Sequence, residues 1–187
     1  KNGQMLGKNM KTFSVQEGEL CRTDLKQYFF MKANIEVTEM PEMKAIYVRH
    51  IGPFNEIGQA YEKLFKWAFP RGLFVPNVSK SATVIHDDPT VTEIEKVRQS
   101  ACIIVADEIK VDGEIGKLVI PGGSYAVGHF ELGFTEFEMA WNTMCNWFLE
   151  SGYQQGDGCT YELYHNDYNT HPEKKHIVDI CIPVKPL

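Results

Sequence analysis

PEMKAIYVRHIGPFNEIGQAYEKLFKWAFPRG, residues 41–72, returns further along the chain as PGGSYAVGHFELGFTEFEMAWNTMCNWFLESG, residues 121–152. Pro41, Phe54, Glu56, Ala60, Tyr61, Trp67 and Gly72 meet Pro121, Phe134, Glu136, Ala140, Trp141, Trp147 and Gly152 at one constant offset. Val48 and His50 meet Val127 and His129 at one residue less. Further on, Ile85-His86-Asp87-Asp88 faces Tyr164-His165-Asn166-Asp167, and Ala101-Cys102-Ile103 faces Ile180-Cys181-Ile182. A duplicated unit implies two similar modules packed about a pseudo-twofold axis, with a groove between them as the natural place for a ligand. A residue that breaks the symmetry in that groove is a candidate for function.

Hydrophobic periodicity turns each copy into elements. Ile35 to Glu39 alternates as a half-buried strand and stops at Pro41; Ala45 to His50 is a second strand, turned by Gly52-Pro53. Asn55 to Phe69 carries an apolar helical stripe of Ile57, Ala60, Tyr61, Leu64, Phe65 and Ala68, with Asn55 as its expected cap and Pro70 and Gly72 as its stop. Strands at Ser81 to His86 and Ala101 to Asp107 follow, separated by a charged loop. The second copy repeats the plan. Strands at Lys117 to Ile120 and Ser124 to Glu131 precede a helix capped by Thr135 and ended by Gly152, and strands at Thr160 to His165 and Val178 to Val184 close it. The expected fold is α+β: tandem strand-helix-strand-strand modules, mainly antiparallel sheet, one long helix per module. Residues 1–33 read as a linker and N-terminal extension, Lys1 to Thr12 being rich in Lys, Asn and Gly. Residues 34–187 form the domain, with module one at 34–107 and module two at 108–187.

Composition narrows the function. The 187 residues are 43% hydrophobic and 24% charged, with a net charge of −6, which is the wrong sign for a surface that grips phosphates. The five cysteines are scattered without C-x-x-C spacing, which argues against a metal site or a disulfide framework and fits a reducing cytoplasm. Cys102 and Cys181 fall at matching apolar strand positions, as small buried hydrophobes do. No apolar run reaches the ~20 residues of a membrane helix. Neither a nucleophile elbow nor a P-loop, an H-E-x-x-H or a dinucleotide fingerprint is present, and Pro121-Gly122-Gly123-Ser124 joins two strands as a turn. His165, His171 and His176 lie near Asp167, Glu173 and Asp179, but in no ligand spacing for a metal; His50 and His129 are matched by the repeat, which favours packing or turn hydrogen bonding. No cofactor is expected.

Glu162 stands out. It sits in the aromatic strand Thr160-Tyr161-Glu162-Leu163-Tyr164, whose counterpart carries the neutral Thr83. A carboxylate there is costly unless it meets water, a donor or a positive charge. Period two projects Glu162 and Tyr164 together. Read from spacing alone, Glu162 either faces solvent or a basic side chain, or it lines a ligand site. Tyr125, Phe130, Phe134, Trp141, Trp147, Tyr161 and Tyr168 supply further aromatic surface suited to a flat or cationic organic molecule. Trp141 and Trp147 lie about a turn and a half apart on their helix and face different ways.

Ile120-Pro121-Gly122-Gly123-Ser124-Tyr125-Ala126-Val127-Gly128-His129, Ala140-Trp141, Trp147-Phe148-Leu149-Glu150-Ser151-Gly152-Tyr153, Tyr161-Glu162-Leu163-Tyr164 and Asp179-Ile180-Cys181-Ile182-Pro183-Val184, in that order, closely resemble the GyrI-like small-molecule-binding domain, the effector-binding domain at the C-terminus of many AraC-type transcription regulators. The resemblance covers Asn34 to Pro186. It implies a pocket between the modules with an acidic residue at its base, at Glu162, meeting cationic aromatic ligands. It also implies aromatic walls at Tyr164, Tyr125 and Phe134, with Tyr47, Trp141 and Ile180 as further members. The expected role is therefore effector sensing, with DNA contacted through a helix-turn-helix domain that this chain lacks. Members of the family that act as small hydrolases through the acid and a tyrosine, or as gyrase-inhibitor-like interaction modules, are the alternatives.

Overall fold

A computed structural model of the protein describes Met31 and residues 33–187. The linker reading of Lys1 to Thr12 lies outside these residues. Nine strands and two α-helices follow in the order β1 (Asn34–Met40), β2 (Met43–Ile51), α1 (Gly58–Ala68), β3 (Ser81–Ile85), β4 (Arg98–Val105), β5 (Gly116–Ile120), β6 (Gly123–Leu132), α2 (Phe137–Ser151), β7 (Tyr153–Gln155), β8 (Thr160–Tyr164) and β9 (His176–Pro186). The class is α+β, and every strand pairing among the described residues is antiparallel.

The sheet runs β1-β6-β9-β8-β3-β4-β2-β5, with β7 attached to β9. Its two ends are tied by the chain itself. β1 belongs to one end and β2 lies next to the other, yet only Pro41 and Glu42 separate Met40 from Met43. Three residue steps span at most about 11 Å, so the sheet must curl until its ends approach. The turn between β5 and β6 crosses at the same place. A Cβ on Gly122 would lie 2.7 Å from the Glu42 backbone nitrogen and 2.9 Å from the Met40 carbonyl oxygen, so only glycine lets the two crossings touch.

Curling gives the sheet an inner and an outer face. One face gathers Ala45, Ala82, Val84, Cys102, Ile120, Tyr125, Val127, Tyr161, Leu163 and Cys181 into a single core, with Met40, Met43 and Tyr47 packed against it. The other face carries the helices. α1 covers Ile46, Val48, Ala101 and Ile103 through Ala60, Leu64 and Ala68, spaced four apart. α2 covers Ala126, Phe130, Leu132, Val178, Ile180 and Ile182 through Ala140 and Met144. α1 passes at Ala68 into a 3₁₀ turn, Phe69–Arg71, that stops at Gly72 (φ 66°), and α2 stops at Gly152 (φ 76°), both glycines in the left-handed region.

The expected caps are not made. Asn55 lies in a 3₁₀ turn, Phe54–Glu56, through which the chain enters α1 with backbone bonds in place of a side-chain cap. No side chain caps α2 either; near its start, the carboxylate of Glu136 accepts the Gly133 amide at 2.7 Å. Cys102, Cys159 and Cys181 are free thiols, whereas Cys145 is disulfide-bonded, so scattered spacing was a poor guide to its pairing. No helix among the described residues is long and apolar enough to cross a membrane.

Candidate functional site

The two helices cover opposite halves of one face, which leaves the adjoining central strands β3 and β8 between them. Thr83 and Glu162 are direct partners across this pair, and Ile180 of β9 is the partner of Glu162 on its other side. Glu162 is 8% exposed. A carboxylate enclosed to that degree needs donors, and it has two: Trp141 Nε1 on α2 donates to Oε1 at 2.8 Å, and the Tyr164 hydroxyl donates to Oε2 at 2.5 Å. Among the described residues no Lys, Arg or His forms an ion pair with it. Burial raises its pKa, and the Tyr164 and Trp141 bonds offset that only in part. Tyr164 is pushed well above its usual value, first by burial and then by the Glu162 charge, so the phenol remains a donor.

On the α1 side, the Tyr61 hydroxyl lies 3.0 Å from Thr83 Oγ1, and its ring meets that of Tyr164 edge-on with centroids 6.4 Å apart. Thr83 is itself buried and acts on both phenols. The result is a line of hydroxyls, Tyr61, Thr83 and Tyr164, that ends on the Glu162 carboxylate. Around Tyr164 the aromatic surface continues through Phe137, centroids 6.5 Å away, and His176, 5.3 Å away.

Of the residues expected at the site, Glu162, Tyr164 and Trp141 are brought together by direct bonds, and Ile180 flanks them as a buried neighbour. Tyr125 and Tyr47 lie on the opposite face. Tyr125 packs against Tyr161 and donates its hydroxyl to the Pro121 carbonyl at 3.0 Å. Phe134 is 66% exposed and stacks edge-on with Tyr168 and His176, which places it one ring beyond Tyr164. Tyr61 was assigned only to the helical stripe; its pairing with Trp141 in the repeat was the signal that could have found it.

A second polar cluster lies on the face away from the helices. Asp179 accepts bonds with His129 Nδ1 at 2.6 Å and His165 Nε2 at 2.7 Å, and His129 Nε2 is 3.5 Å from Glu36. Burial would raise the Asp179 pKa, but its bonds with His165 and His129 outweigh this and lower it. Among the described residues no group of three or more His, Cys, Asp or Glu is arranged to hold a metal ion. A surface cleft of roughly 240 Å³ lies three and four strands along the sheet from β8, flanked by Lys44, Lys117, Asp107 and Glu108.

Comparison with known proteins agrees with this architecture. The model of the GyrI-like small molecule binding domain matches residues 33–185. A DNA gyrase inhibitor of Pectobacterium carotovorum subsp. carotovorum (strain PC1) is 30% identical over 138 residues, 72% of this chain and 86% of that protein. The EcmrR C-terminal domain superposes with a TM-score of 0.65 at 20% identity, covering 84% of this chain and 100% of that one. EcmrR in its complex with DNA gives 0.70 at 18% identity over 83% of this chain and 58% of that one. A hydrolase encoded by lin2189 from Listeria innocua gives 0.58 at 13% identity over 81% of this chain and 92% of that one. At such identities the structural likeness is one of fold. The chain belongs to the GyrI-like small-molecule-binding domain family.

Proposed function

We propose that this domain senses an effector for a transcription regulator of the AraC type, by binding a hydrophobic, cationic small molecule at Glu162 in a groove between two pseudo-twofold-related modules. The single observation that carries this reading is the buried carboxylate with two neutral donors and, among the described residues, no cationic partner. Such a group is poorly compensated in the free protein, and an organic cation would supply the missing charge in a place where water screens little. Aromatic edges and faces from Tyr61, Trp141, Tyr164 and Phe137 suit the apolar part of the ligand. The modular reading is supported by the strand order, which is unchanged when read from the other end with β1 to β4 exchanged for β5, β6, β8 and β9. A regulatory role is supported by the likeness to EcmrR in complex with DNA. DNA contact would belong to a helix-turn-helix domain outside this chain, with residues 1–33 as the connecting extension.

Titration of tetraphenylphosphonium, followed by tryptophan fluorescence, tests this. Saturable binding that weakens by about tenfold or more in Glu162→Gln is the expected result, since bonds to charged groups contribute about 1.5–3 kcal/mol. Absence of binding, or binding indifferent to the substitution, would refute it.

A second reading, hydrolysis of a strained or electrophilic organic compound, draws support from the direct Tyr164 to Glu162 hydrogen bond, an acid and a proton donor in contact. Multiple turnovers detected by mass spectrometry would favour it; a ligand recovered intact would exclude it for the compound tested.

A further inference from the structure

The repeat places two contacts of the same kind side by side. From α2, Trp141 reaches down to Glu162 at 2.8 Å; from α1, its counterpart Tyr61 reaches down to Thr83 at 3.0 Å. Thr83 and Glu162 are direct partners in the β3–β8 ladder, so their side chains rise from one face about 5 Å apart. The floor between the helices therefore has an anionic half and a neutral half built on the same plan. Thr83 meets the Tyr61 hydroxyl on one side and the Tyr164 hydroxyl on the other, and Tyr164 gives its proton to Glu162. With each hydroxyl donating to the next, Tyr61 and Thr83 keep unused oxygen lone pairs beside the carboxylate, where an unmatched polar group is costly.

We propose that Tyr61 and Thr83 form this neutral half of the ligand site and select cations that carry an uncharged hydrogen-bonding group about 5 Å from the charge. The inference rests on the reading of Glu162 as the cation-binding group and adds a second point of recognition to it. With both points engaged, a ligand lies across β3 and β8 in one orientation, cation toward α2 and polar group toward α1. A cation without such a group leaves the hydroxyl pair to itself. Specificity of this origin is sharp, because a site built around hydrogen-bonding groups discriminates against an analogue that leaves them unpaired.

The test uses two probes that differ by one hydroxyl, phenyltrimethylammonium and its 3-hydroxyphenyl counterpart, in which the meta position sets the hydroxyl at about the required distance from the nitrogen. Both are titrated calorimetrically into the full chain and its variants. The wild type is expected to bind the hydroxylated probe about five- to tenfold more tightly, as one net hydrogen bond allows. Thr83→Val and Tyr61→Phe should bring that ratio to near one, and Thr83→Ser should keep it. Glu162→Gln should weaken both probes together. A wild-type ratio near one, or a preference that survives both Thr83→Val and Tyr61→Phe, overturns the neutral half while leaving the carboxylate in place. Failure of Glu162→Gln to weaken either probe overturns the carboxylate reading instead. Should Thr83→Val not fold, the ratio in Tyr61→Phe against Thr83→Ser decides.

Discussion

Trp141 holds Glu162 by a 2.8 Å bond from its indole N–H, and that bond couples the helix α2 to the central strand β8 at a buried carboxylate whose two donors among the described residues are both uncharged. The arrangement is costly to the free protein and informative for the same reason. A charge enclosed with neutral donors alone depresses stability, and the depression has a measurable pH dependence.

Glu162→Gln should stabilise the ligand-free protein. The amide oxygen can still accept from Trp141, and the amide nitrogen can donate to Tyr164 once the phenol turns toward Thr83. Since the folded-state pKa of Glu162 lies above its usual value of 4.5, the wild type carries the penalty at pH values above that folded value and sheds it as the acid is protonated. The gain should therefore be present at pH 7, about 0.5–2 kcal/mol, and shrink toward pH 4. Urea unfolding at the two pH values checks it; equal or lower stability of the variant at pH 7 would count against a penalised carboxylate.

Trp141→Phe should have the opposite sign. It leaves one oxygen of a buried carboxylate without a donor, at a cost of about 1–3 kcal/mol, and raises the Glu162 pKa further. In a Glu162→Leu background the same change should cost less, because no carboxylate remains to be satisfied. Additive effects in the double-mutant cycle would show that the ring only packs.

How much of this was legible in the residues depends on whether a feature is local. The repeat and its periodicities located eight strands and both helices, because alternation and helical stripes are written along the chain. β7 escaped, being three residues that pair only with the end of β9. The asymmetry of Glu162 against Thr83 was visible in the aligned copies. Tyr125 and Tyr47 were expected beside it, and they lie across the sheet instead. Alternation says which residues share a face, but which face of a curled sheet receives the helices depends on long-range pairing. Tyr61 was hidden for a related reason: its hydroxyl acquires meaning only when α1 settles over β3.

Gly122 and Gly128 should differ in their tolerance of alanine. At Gly122 the added methyl meets the Glu42 and Met40 backbone, which cannot move without separating the two crossings that close the sheet. At Gly128 it meets side chains in place of backbone, the flexible Met144 thioether and the edge of the Phe130 ring at 2.7 Å. Gly122→Ala should cost about 3 kcal/mol or more and Gly128→Ala about 1–3 kcal/mol. Thermal unfolding of the two variants provides the comparison, and a smaller loss at Gly122 would contradict the closed-sheet geometry.

Two histidines should act on stability with opposite signs. His86, bonded to Ser100 at 2.9 Å, is lowered to about 4 by burial and by Arg49 and Arg98. Below pH 6.5 the unfolded chain takes up a proton that the folded chain refuses, so stability is lost as pH falls from 6.5 toward 4. For His129, burial opposes the proton but Asp179 and Glu36 outweigh it, so its folded pKa is raised. Its contribution is full below 6.5 and lost as pH rises through the folded value. Urea midpoints between pH 4 and 8 should flatten on the acid side in His86→Gln and on the alkaline side in His129→Gln.

The central claim is that Glu162 recognises charge in a hydrophobic ligand. It is tested most directly by comparing phenyltrimethylammonium with tert-butylbenzene, its uncharged counterpart of nearly the same shape, in calorimetric titrations of the wild type and Glu162→Gln. The expected result is a loss of about tenfold or more for the cation in the variant, with the hydrocarbon bound equally by both proteins. Equal losses for the two compounds, or none for the cation, would contradict it.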